Sequence, residues 1–257
     1  MKDQSSSNNK PLYRIPDLFA GLTNLVSGES TRHGGVSSEP YSSLNLGGST
    51  LDNPENVAEN NRRFFAALDI DLSQVAKSHQ VHGCEILVVT EPGRFEGYDA
   101  LITNIPDIQL AVTVADCTPI LIFDPVKKAV AAIHAGWRGT VAHIVQKTVK
   151  LLGETYGSDP SDCHAFVGTC IDECSFEVGE EVAENFQSVY KRWDEQKNKF
   201  FVDLKAANRD QLIEAGVNPD YIEVSPYSTV IHNGDYFSYR KEKGLTGRLL
   251  ATIGIKG

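Results

Sequence analysis

Two apolar segments of strand length flank a four-residue turn, and this pair restricts the fold more than any other feature of the sequence. The segments are ILIFD, residues 120–124, and KAVAAIH, residues 128–134. The turn at 124–127 contains the dipeptide Asp-Pro, which is typical of tight turns. Because so short a connection joins only antiparallel strands, the pair is predicted to form a β-hairpin. A doubly wound sheet of parallel strands is therefore disfavoured.

Other segments with strand or helix patterns interleave around this hairpin. Further strands are predicted at 85–90 and 108–115, where β-branched and apolar residues cluster. Helices are predicted at 54–68 behind Asn53, at 140–153 with Thr140 as its cap, near 180–190, and at 203–215 before Gly216. The mixture predicts an α/β (α+β) fold with mixed β-sheets covered by helices. Without an internal boundary, residues 13–257 are expected to form one domain after a flexible tail at 1–12.

The charge balance narrows the class of partner. The chain carries 24 Lys and Arg against 34 Asp and Glu, a formal net charge of −10. Such a surface repels phosphate backbones and anionic lipids, so neither nucleic acid nor a membrane is an expected partner. The polar first ten residues lack the apolar stretch of a secretory signal, and we predict a cytoplasmic protein. Five cysteines in such a chain are not expected to form disulfides.

Three predicted strands end in side chains that can bind a metal. The stretches are HQVHG at 79–83, VADCTP at 114–119, and the strand that ends in His134. Their separations are too wide for a zinc finger but suit ligands gathered from different strand ends. Two imidazoles and a thiolate suit Zn²⁺ or copper, and they leave a fourth position open, as in catalytic sites. The same residues also fit a structural role, since lone histidines are often hydrogen-bonded and lone cysteines often fill cores.

Seven motifs in a fixed order add a resemblance to this picture. They are TRHGGVSSEPYSSLNLG, HQVHG, DALIT, VADCTPILIFDP, AAIHAGWRGT, GTCIDECSFEVGEEV and YFSYRKEKGLTGR. Over about residues 17–255 the chain resembles the bacterial polyphenol oxidase or laccase-like domain family. Members of that family are also described as purine nucleoside phosphorylases with adenosine deaminase side activity. The resemblance implies a layered α/β/β/α fold.

The resemblance also implies one metal ion held by His82, Cys117 and His134. The motif selects His82 over His79. The two histidines are three positions apart, and in a strand residues at this spacing face opposite sides. The 168–182 segment departs from the family pattern at Thr169 and at Asp172-Glu173, and Ser228 stands where many relatives have cysteine. We interpret Cys170 and Cys174 in this region as structural.

A purine nucleoside and inorganic phosphate are the substrates that the resemblance implies. Arg138, four residues past His134 and just before a helix, is the first candidate for phosphate and is grouped with the three ligands as catalytic. We assign substrate or phosphate binding to Arg32, His33, Asp99 and Arg240, with Arg248 a further candidate. His33 and Asp99 are predicted to move protons, although Asp99 is equally suited to capping the turn before residues 101–103. Trp137 is expected in the core rather than stacked on a base.

Three other functions remain open at this point. Copper-dependent oxidation of phenols needs several copper centres, and the chain has only seven histidines. Cys117 activated by a histidine would suit an amidase that edits a cell-wall muropeptide precursor. A metal-binding interaction module without turnover is the third alternative. Zinc is the expected metal with copper as the alternative, and the protein is expected to be a monomer or homodimer.

Overall fold

The computed structural model describes residues 2–3 and 10–257. Within them the strands are β1 (Lys2–Asp3), β2 (Tyr13–Ile15), β3 (Leu25–Ser30), β4 (Val75–His79), β5 (Ile86–Val88), β6 (Gly93–Glu96), β7 (Ala100–Thr103), β8 (Gln109–Val114), β9 (Thr118–Asp124), β10 (Ala129–Ala135), β11 (His164–Val167), β12 (Glu177–Val178), β13 (Lys191–Asp194), β14 (Lys199–Val202), β15 (Ile222–Val224) and β16 (Leu249–Ile255). The α-helices are α1 (Pro54–Ala67), α2 (Trp137–Val141), α3 (Ile144–Tyr156), α4 (Glu180–Ala183) and α5 (Leu204–Glu214).

Two large sheets contain both parallel and antiparallel pairs. One has the order β1-β2-β3-β16-β8-β4-β6 and the other the order β15-β11-β9-β10-β7-β5, while β12, β14 and β13 form a small third sheet. The predicted hairpin is confirmed, because β9 and β10 pair antiparallel with Ala129 opposite Asp124. Parallel pairs such as β4 with β8 make the sheets mixed, as predicted.

Alternating burial along the strands explains how the layers stack. Leu110 and Val112 of β8 pack with Leu121 of β9 and Val130 of β10 in a core between the two large sheets. The opposite face of β10 packs against α3 and α5. Phe64 and Phe65 of α1 pack with Val75, Ala111 and Leu250 on the outer face of the other sheet. The layered α/β/β/α arrangement is therefore confirmed, and strands buried on both faces need the continuous apolar runs seen in the sequence.

Two connections between the sheets bring distant segments together. The chain leaves β4 in one large sheet and enters β5 in the other through the loop 80–85, and it repeats this crossing between β8 and β9 through 115–117. Thr118 at the start of β9 pairs with Ala135 at the end of β10. The crossing loop before β9 therefore lies beside the chain that leaves β10, at an end of the stacked sheets.

Helix predictions after residue 136 are corrected in two places. The predicted helix at 140–153 is two helices, α2 and α3, separated by His143 in a left-handed conformation. Thr140 is not a cap: it lies inside α2, and Gln211 donates to its carbonyl at 2.7 Å, which helps to end that helix. Segment 180–190 is helical only in α4 and in a 3₁₀ turn at Ser188–Tyr190, because Asn185 donates its side-chain amide back to the Glu181 carbonyl.

The other two helix predictions hold. Helix α1 begins behind Asn53, whose side chain accepts from the Glu55 amide. Helix α5 begins behind Asp203, whose carboxylate accepts from the Ala206 amide. It ends before Gly216, which has a φ of +99°.

The structure describes part of the predicted tail at 1–12, and the flexibility of that tail stays a prediction. Lys2–Asp3 pair with β2, and Lys10 donates to the carboxylate of Asp235 at 2.9 Å. Pro11 is buried. Residues 1 and 4–9 lie outside the described part of the chain. In the described part, no helix has both the length and the apolar character that a membrane crossing requires.

Candidate metal centre

The crossing loops and the end of β10 bring His82, Cys117 and His134 together. Their ligand atoms all lie within 4.8 Å of one another. The two imidazole rings meet edge to face, with centroids 4.8 Å apart. His82 is exposed, Cys117 is half-buried and His134 is 3% exposed, so the cluster opens to solvent on the His82 side.

Asp99, fully buried behind the cluster, holds both histidines in place. Its Oδ1 lies 2.7 Å from Nδ1 of His134 and 3.0 Å from the backbone nitrogen of His82. Its Oδ2 accepts from the amides of Val81 at 3.2 Å and Gly83 at 2.7 Å. When Nδ1 donates to Asp99, Nε2 of His134 is left as the atom that can bind a metal.

Hydrogen bonding also fixes the charge of Asp99. Burial favours a higher pKa for this carboxyl group, but the hydrogen bonds from His134 and Gly83 outweigh it and lower the pKa. Asp99 is therefore an ionised acceptor, which fits a group that orients its neighbours rather than one that gives up a proton.

Cys117 and His134 perturb each other's proton affinity. Burial favours the neutral thiol, but the charge of His134 and hydrogen bonds from both histidines lower the pKa of Cys117 to about 6. Burial likewise disfavours a charged His134, but the Cys117 thiolate and Asp99 raise its pKa to about 9. These are two views of one interaction, and both favour the thiolate, the form of cysteine that binds metal.

The backbone around the cluster has two residues with positive φ and a glycine that leaves space for the ligand side chains. His82 has a φ of +59° and Asp116, next to Cys117, a φ of +83°, both uncommon outside glycine. A Cβ atom at Gly136 would lie 3.1 Å from Sγ of Cys117 and 3.2 Å from the His82 ring. The first glycine of HAGWRG therefore leaves room for the two side chains.

The geometric reason given for choosing His82 over His79 is wrong. His79 ends β4, whereas His82 lies in the loop beyond it, so alternation along a strand does not apply. Both residues line the same cavity. His82 is the one that joins Cys117 and His134.

A cavity of about 610 Å³ adjoins the cluster, a size within the usual range for small-molecule sites. Besides the three clustered residues, its lining includes the aromatic residues Trp137, Phe176 and Tyr239 and the cations Arg138, Arg240 and Arg248. Trp137 is half-buried and packs partly on the α5 side, so it serves both the core and the cavity wall.

The three arginines of this cavity differ in the number of hydrogen bonds that their guanidinium groups donate to other protein groups. Arg240 donates to the Glu177 carbonyl at 2.9 Å, and Arg248 donates to two nearby carbonyls, those of Thr246 and Gly247. Arg138 stacks at 4.4 Å on Trp137 and, among the described residues, has no carboxylate or carbonyl partner. It is the cation of this cavity best placed to bind an anion.

Three residues predicted for the substrate side do not line the cavity. Arg32 forms an ion pair with Glu242 at 3.0 Å, and His33 lies 2.8 Å from the carboxylate of Asp235. Asp99 is fully buried behind the cluster. The protein's own groups contact these side chains in the structure, and their assignment to substrate or phosphate binding stays a prediction.

Sequence reasoning missed Asp116, which borders the cavity beside Cys117. Its carboxylate accepts from Oγ1 of Thr229 at 2.5 Å and from the Arg240 amide at 2.6 Å. It thereby ties the crossing loop to the 236–248 motif. The position of Asp116 directly before Cys117 in VADC is the sequence feature from which a role at the site could have been predicted. Cys170 is buried, in line with a structural role, whereas Cys174 is exposed and has no place in the core.

The donor set fits a single metal ion of the zinc or copper type. Two imidazole nitrogens and a sulfur with a lowered pKa are the ligands that such ions prefer. The bond from His134 to Asp99 is the carboxylate–histidine arrangement common behind bound metals. Three protein ligands would leave such an ion one coordination position for water or substrate, as in catalytic zinc sites.

Comparisons with known proteins agree with the motifs. A family model described as multi-copper polyphenol oxidoreductase laccase matches residues 26–256. A Deinococcus radiodurans protein named purine nucleoside phosphorylase is 40% identical over 247 residues, 95% of this chain and 93% of the relative. Bacillus subtilis purine nucleoside phosphorylase YlmD is 32% identical over 268 residues, 98% of this chain and 92% of the relative.

A solved structure extends the agreement to the fold. YlmD from Geobacillus stearothermophilus is 32% identical, covers 99% of each chain and has a TM-score of 0.91. The resemblance inferred from the seven motifs is thereby confirmed. The chain belongs to the laccase-like polyphenol oxidoreductase family, which includes proteins named purine nucleoside phosphorylase.

Proposed function

We propose that the protein is a zinc-dependent purine nucleoside phosphorylase with adenosine deaminase side activity. The observation that carries the proposal is the cluster of His82, Cys117 and His134 opening onto a cavity in which Arg138 stacks on Trp137 and, among the described residues, forms no ion pair with a carboxylate. The names of the relatives supply the substrate class, a purine nucleoside with inorganic phosphate.

Phosphorolysis brings an anionic phosphate to the sugar and leaves negative charge on the departing purine, and the side chains that line this cavity suit both groups. Phosphate oxygen bonds to the anomeric carbon as the bond to the purine nitrogen breaks, and that electron pair leaves with the base. The guanidinium of Arg138 suits the phosphate, because its planar fork can donate two parallel hydrogen bonds. Tyr239 and Phe176 line the cavity with aromatic side chains, which suit contact with the apolar surface of a purine.

His82, Cys117 and His134 would bind the metal ion. Bound zinc would act as a Lewis acid and lower the pKa of water, the chemistry that deamination of adenosine requires. Asp99 keeps His134 oriented, and the low pKa of Cys117 keeps its sulfur ionised. A cytoplasmic location and a monomeric or dimeric state remain predictions.

Two other enzymatic functions are less well supported. Oxidation of phenols by several coppers would need several ligand clusters, and within the described residues the His82–Cys117–His134 group is the one with three candidate ligands. A cysteine amidase finds some support in the low pKa of Cys117 beside His134. However, a carboxylate-oriented histidine and a second histidine facing the same sulfur favour ligation.

Phosphate dependence is the test of the proposed function. We expect the zinc-loaded protein to release hypoxanthine from inosine only when inorganic phosphate is present, with pentose 1-phosphate formed in equal amount. Chromatography of the base and the sugar phosphate measures both products. Base release at the same rate without phosphate would identify a hydrolase, and oxidation of a phenol without base release would support the copper alternative.

Adenosine provides the matched assay for the side activity. Without phosphate, we expect adenosine to be converted to inosine, and the reaction should be lost when the metal is removed with a chelator and regained with zinc. Unchanged adenosine under these conditions would contradict the deaminase part while leaving phosphorolysis standing.

A further inference from the structure

A second cavity lies beyond the metal cavity, between α1 and the edge formed by β4 and β6. It measures about 550 Å³. A smaller cavity of about 320 Å³ lies between the two and shares Ser78, His79 and Thr113 with the metal cavity. It shares Lys77 and Arg94 with the second cavity. The three cavities therefore adjoin one another between the metal centre and these two basic side chains, and together they are called the cleft.

Lys77 and Arg94 are neighbours across two strands. They occupy paired positions in β4 and β6, where like charges repel each other. The Lys77 ammonium donates to Oδ1 of Asn61 on α1 and lies 5.1 Å from the centre of the Phe65 ring. In the part of the chain that the structure describes, neither cation forms an ion pair with a carboxylate.

The nearby carboxylates do not neutralise this pair. Asp52 lines the second cavity, but its carboxylate accepts from the Ser37 hydroxyl at 2.6 Å and from the Asn45 amide at 2.9 Å. Glu96 follows Arg94 on β6 and pairs in register with His79. Lys77 and Arg94 therefore line this cleft without a carboxylate ion pair among the described residues, in a chain whose net charge is −10.

The surroundings of Lys77 make its charge costly without a partner. The side chain is half-buried beside Val57 and Val75, and burial together with the charge of Arg94 lowers the pKa of Lys77 to about 7. A bound anion would reverse this cost, because attraction between opposite charges strengthens as water is excluded. Lysine supplies a compact charge and arginine a planar fork, a combination suited to a tetrahedral oxyanion.

We propose that Lys77 and Arg94 form a phosphate-binding subsite at the far end of the cleft. Its ligand is a phosphate group, borne by inorganic phosphate or by the phosphate ester of a pentose. This inference rests on the proposed function for its choice of ligand, since that reaction consumes the first and releases the second. It adds a cationic site on the α1 side to the one at Arg138.

Direct binding tests the subsite without relying on turnover. Isothermal titration calorimetry is carried out on the full-length, zinc-loaded Arg138→Gln variant, so that Arg138 does not contribute and each added substitution is compared with this common background. Inorganic phosphate and ribose 1-phosphate are titrated separately. Adding Lys77→Met or Arg94→Gln is expected to weaken binding about 10- to 100-fold, as loss of a charged hydrogen-bond donor does. Adding Lys77→Arg, which keeps the charge, is expected to retain most of the affinity.

Two controls keep the outcome interpretable. Lys150→Met removes an exposed cation on α3 that pairs with Glu154, and it should leave binding unchanged. If Lys77→Met does not fold, Arg94→Gln changes an exposed side chain and still decides the question. Affinities equal to the Arg138→Gln background in both variants would overturn the subsite.

The titrations also separate this inference from the proposed function. Loss of phosphate binding in the Lys77 and Arg94 variants of a protein that releases no base would support the subsite and reject the phosphorylase. Phosphate-dependent base release with unaltered binding in both variants would reject the subsite alone. Heat from inorganic phosphate but not from ribose 1-phosphate would identify the free ion as the ligand, and the converse result the ester.

Discussion

Replacing Cys117 with alanine is expected to remove the metal from the protein and abolish turnover. The thiolate is the one sulfur ligand of the cluster, and its charge also holds His134 in its protonated form when no metal is bound. With Cys117 gone, two imidazoles remain, fewer than the three protein ligands usual in catalytic zinc sites. We expect the metal content to fall from about one ion per chain to a small fraction of that. Plasma mass spectrometry of dialysed protein measures it.

Cys174→Ala is the matched control for this change. Cys174 is exposed and lies outside the metal cavity, so the variant should keep both metal and activity. A Cys117→Ala protein that retained a full complement of metal but lost peptide-bond cleavage would instead identify Cys117 as a nucleophile. That outcome would favour the amidase over the phosphorylase.

Replacing Asp99 with alanine is expected to weaken metal binding and also to destabilise the fold. Asp99 is 0% exposed and accepts four hydrogen bonds, from His134 and from the amides of Val81, His82 and Gly83. Removing the carboxylate leaves these donors without their acceptor. Losing one partner of a buried charged network typically costs about 3–5 kcal/mol of unfolding free energy. Loss of a carboxylate behind a ligating histidine typically lowers metal affinity about 10- to 100-fold.

Two measurements on the Asp99 variants separate the effects. Urea unfolding of metal-free protein gives the stability change, and competition with a chromophoric chelator gives the metal affinity. Asp99→Asn should lose less stability, since the amide keeps one oxygen acceptor, yet it should still lose metal affinity because its NH₂ group cannot accept from His134. Wild-type metal affinity in both variants would show that Asp99 does not orient the ligands.

The sequence allowed prediction of elements whose signals are local. The β9–β10 hairpin follows from a short turn between two apolar runs, and α1 and α5 follow from Asn53 and Asp203 at their starts. The break between α2 and α3 depends on contacts from α5, such as Gln211 donating to Thr140. Such contacts join residues far apart in the chain, so helical periodicity alone could not reveal them.

In the candidate site too, residues marked by local motifs could be predicted, whereas roles that depend on distant contacts could not. The three clustered side chains were predicted because strand ends and motifs mark them directly. The sequence left the role of Asp99 open between proton transfer and capping a turn. The amides that donate to its carboxylate belong to His82 and Gly83, in the loop that crosses between the sheets after β4, and the sequence does not show that this loop reaches Asp99. Arg32 was likewise predicted to contact phosphate, and the ion pair that it forms with Glu242 joins two positions far apart in the chain. Charge alone does not tell a free arginine from a paired one.

X-ray absorption spectroscopy of the bound metal tests the central claim most directly, namely that His82, Cys117 and His134 share one ion. At the zinc edge, the claim predicts one sulfur at about 2.3 Å and two imidazole nitrogens at about 2.0–2.1 Å, with one further light atom in the first shell. The sulfur contribution should be absent from any metal that Cys117→Ala retains. A first shell of nitrogen and oxygen alone in the unaltered protein would contradict the account.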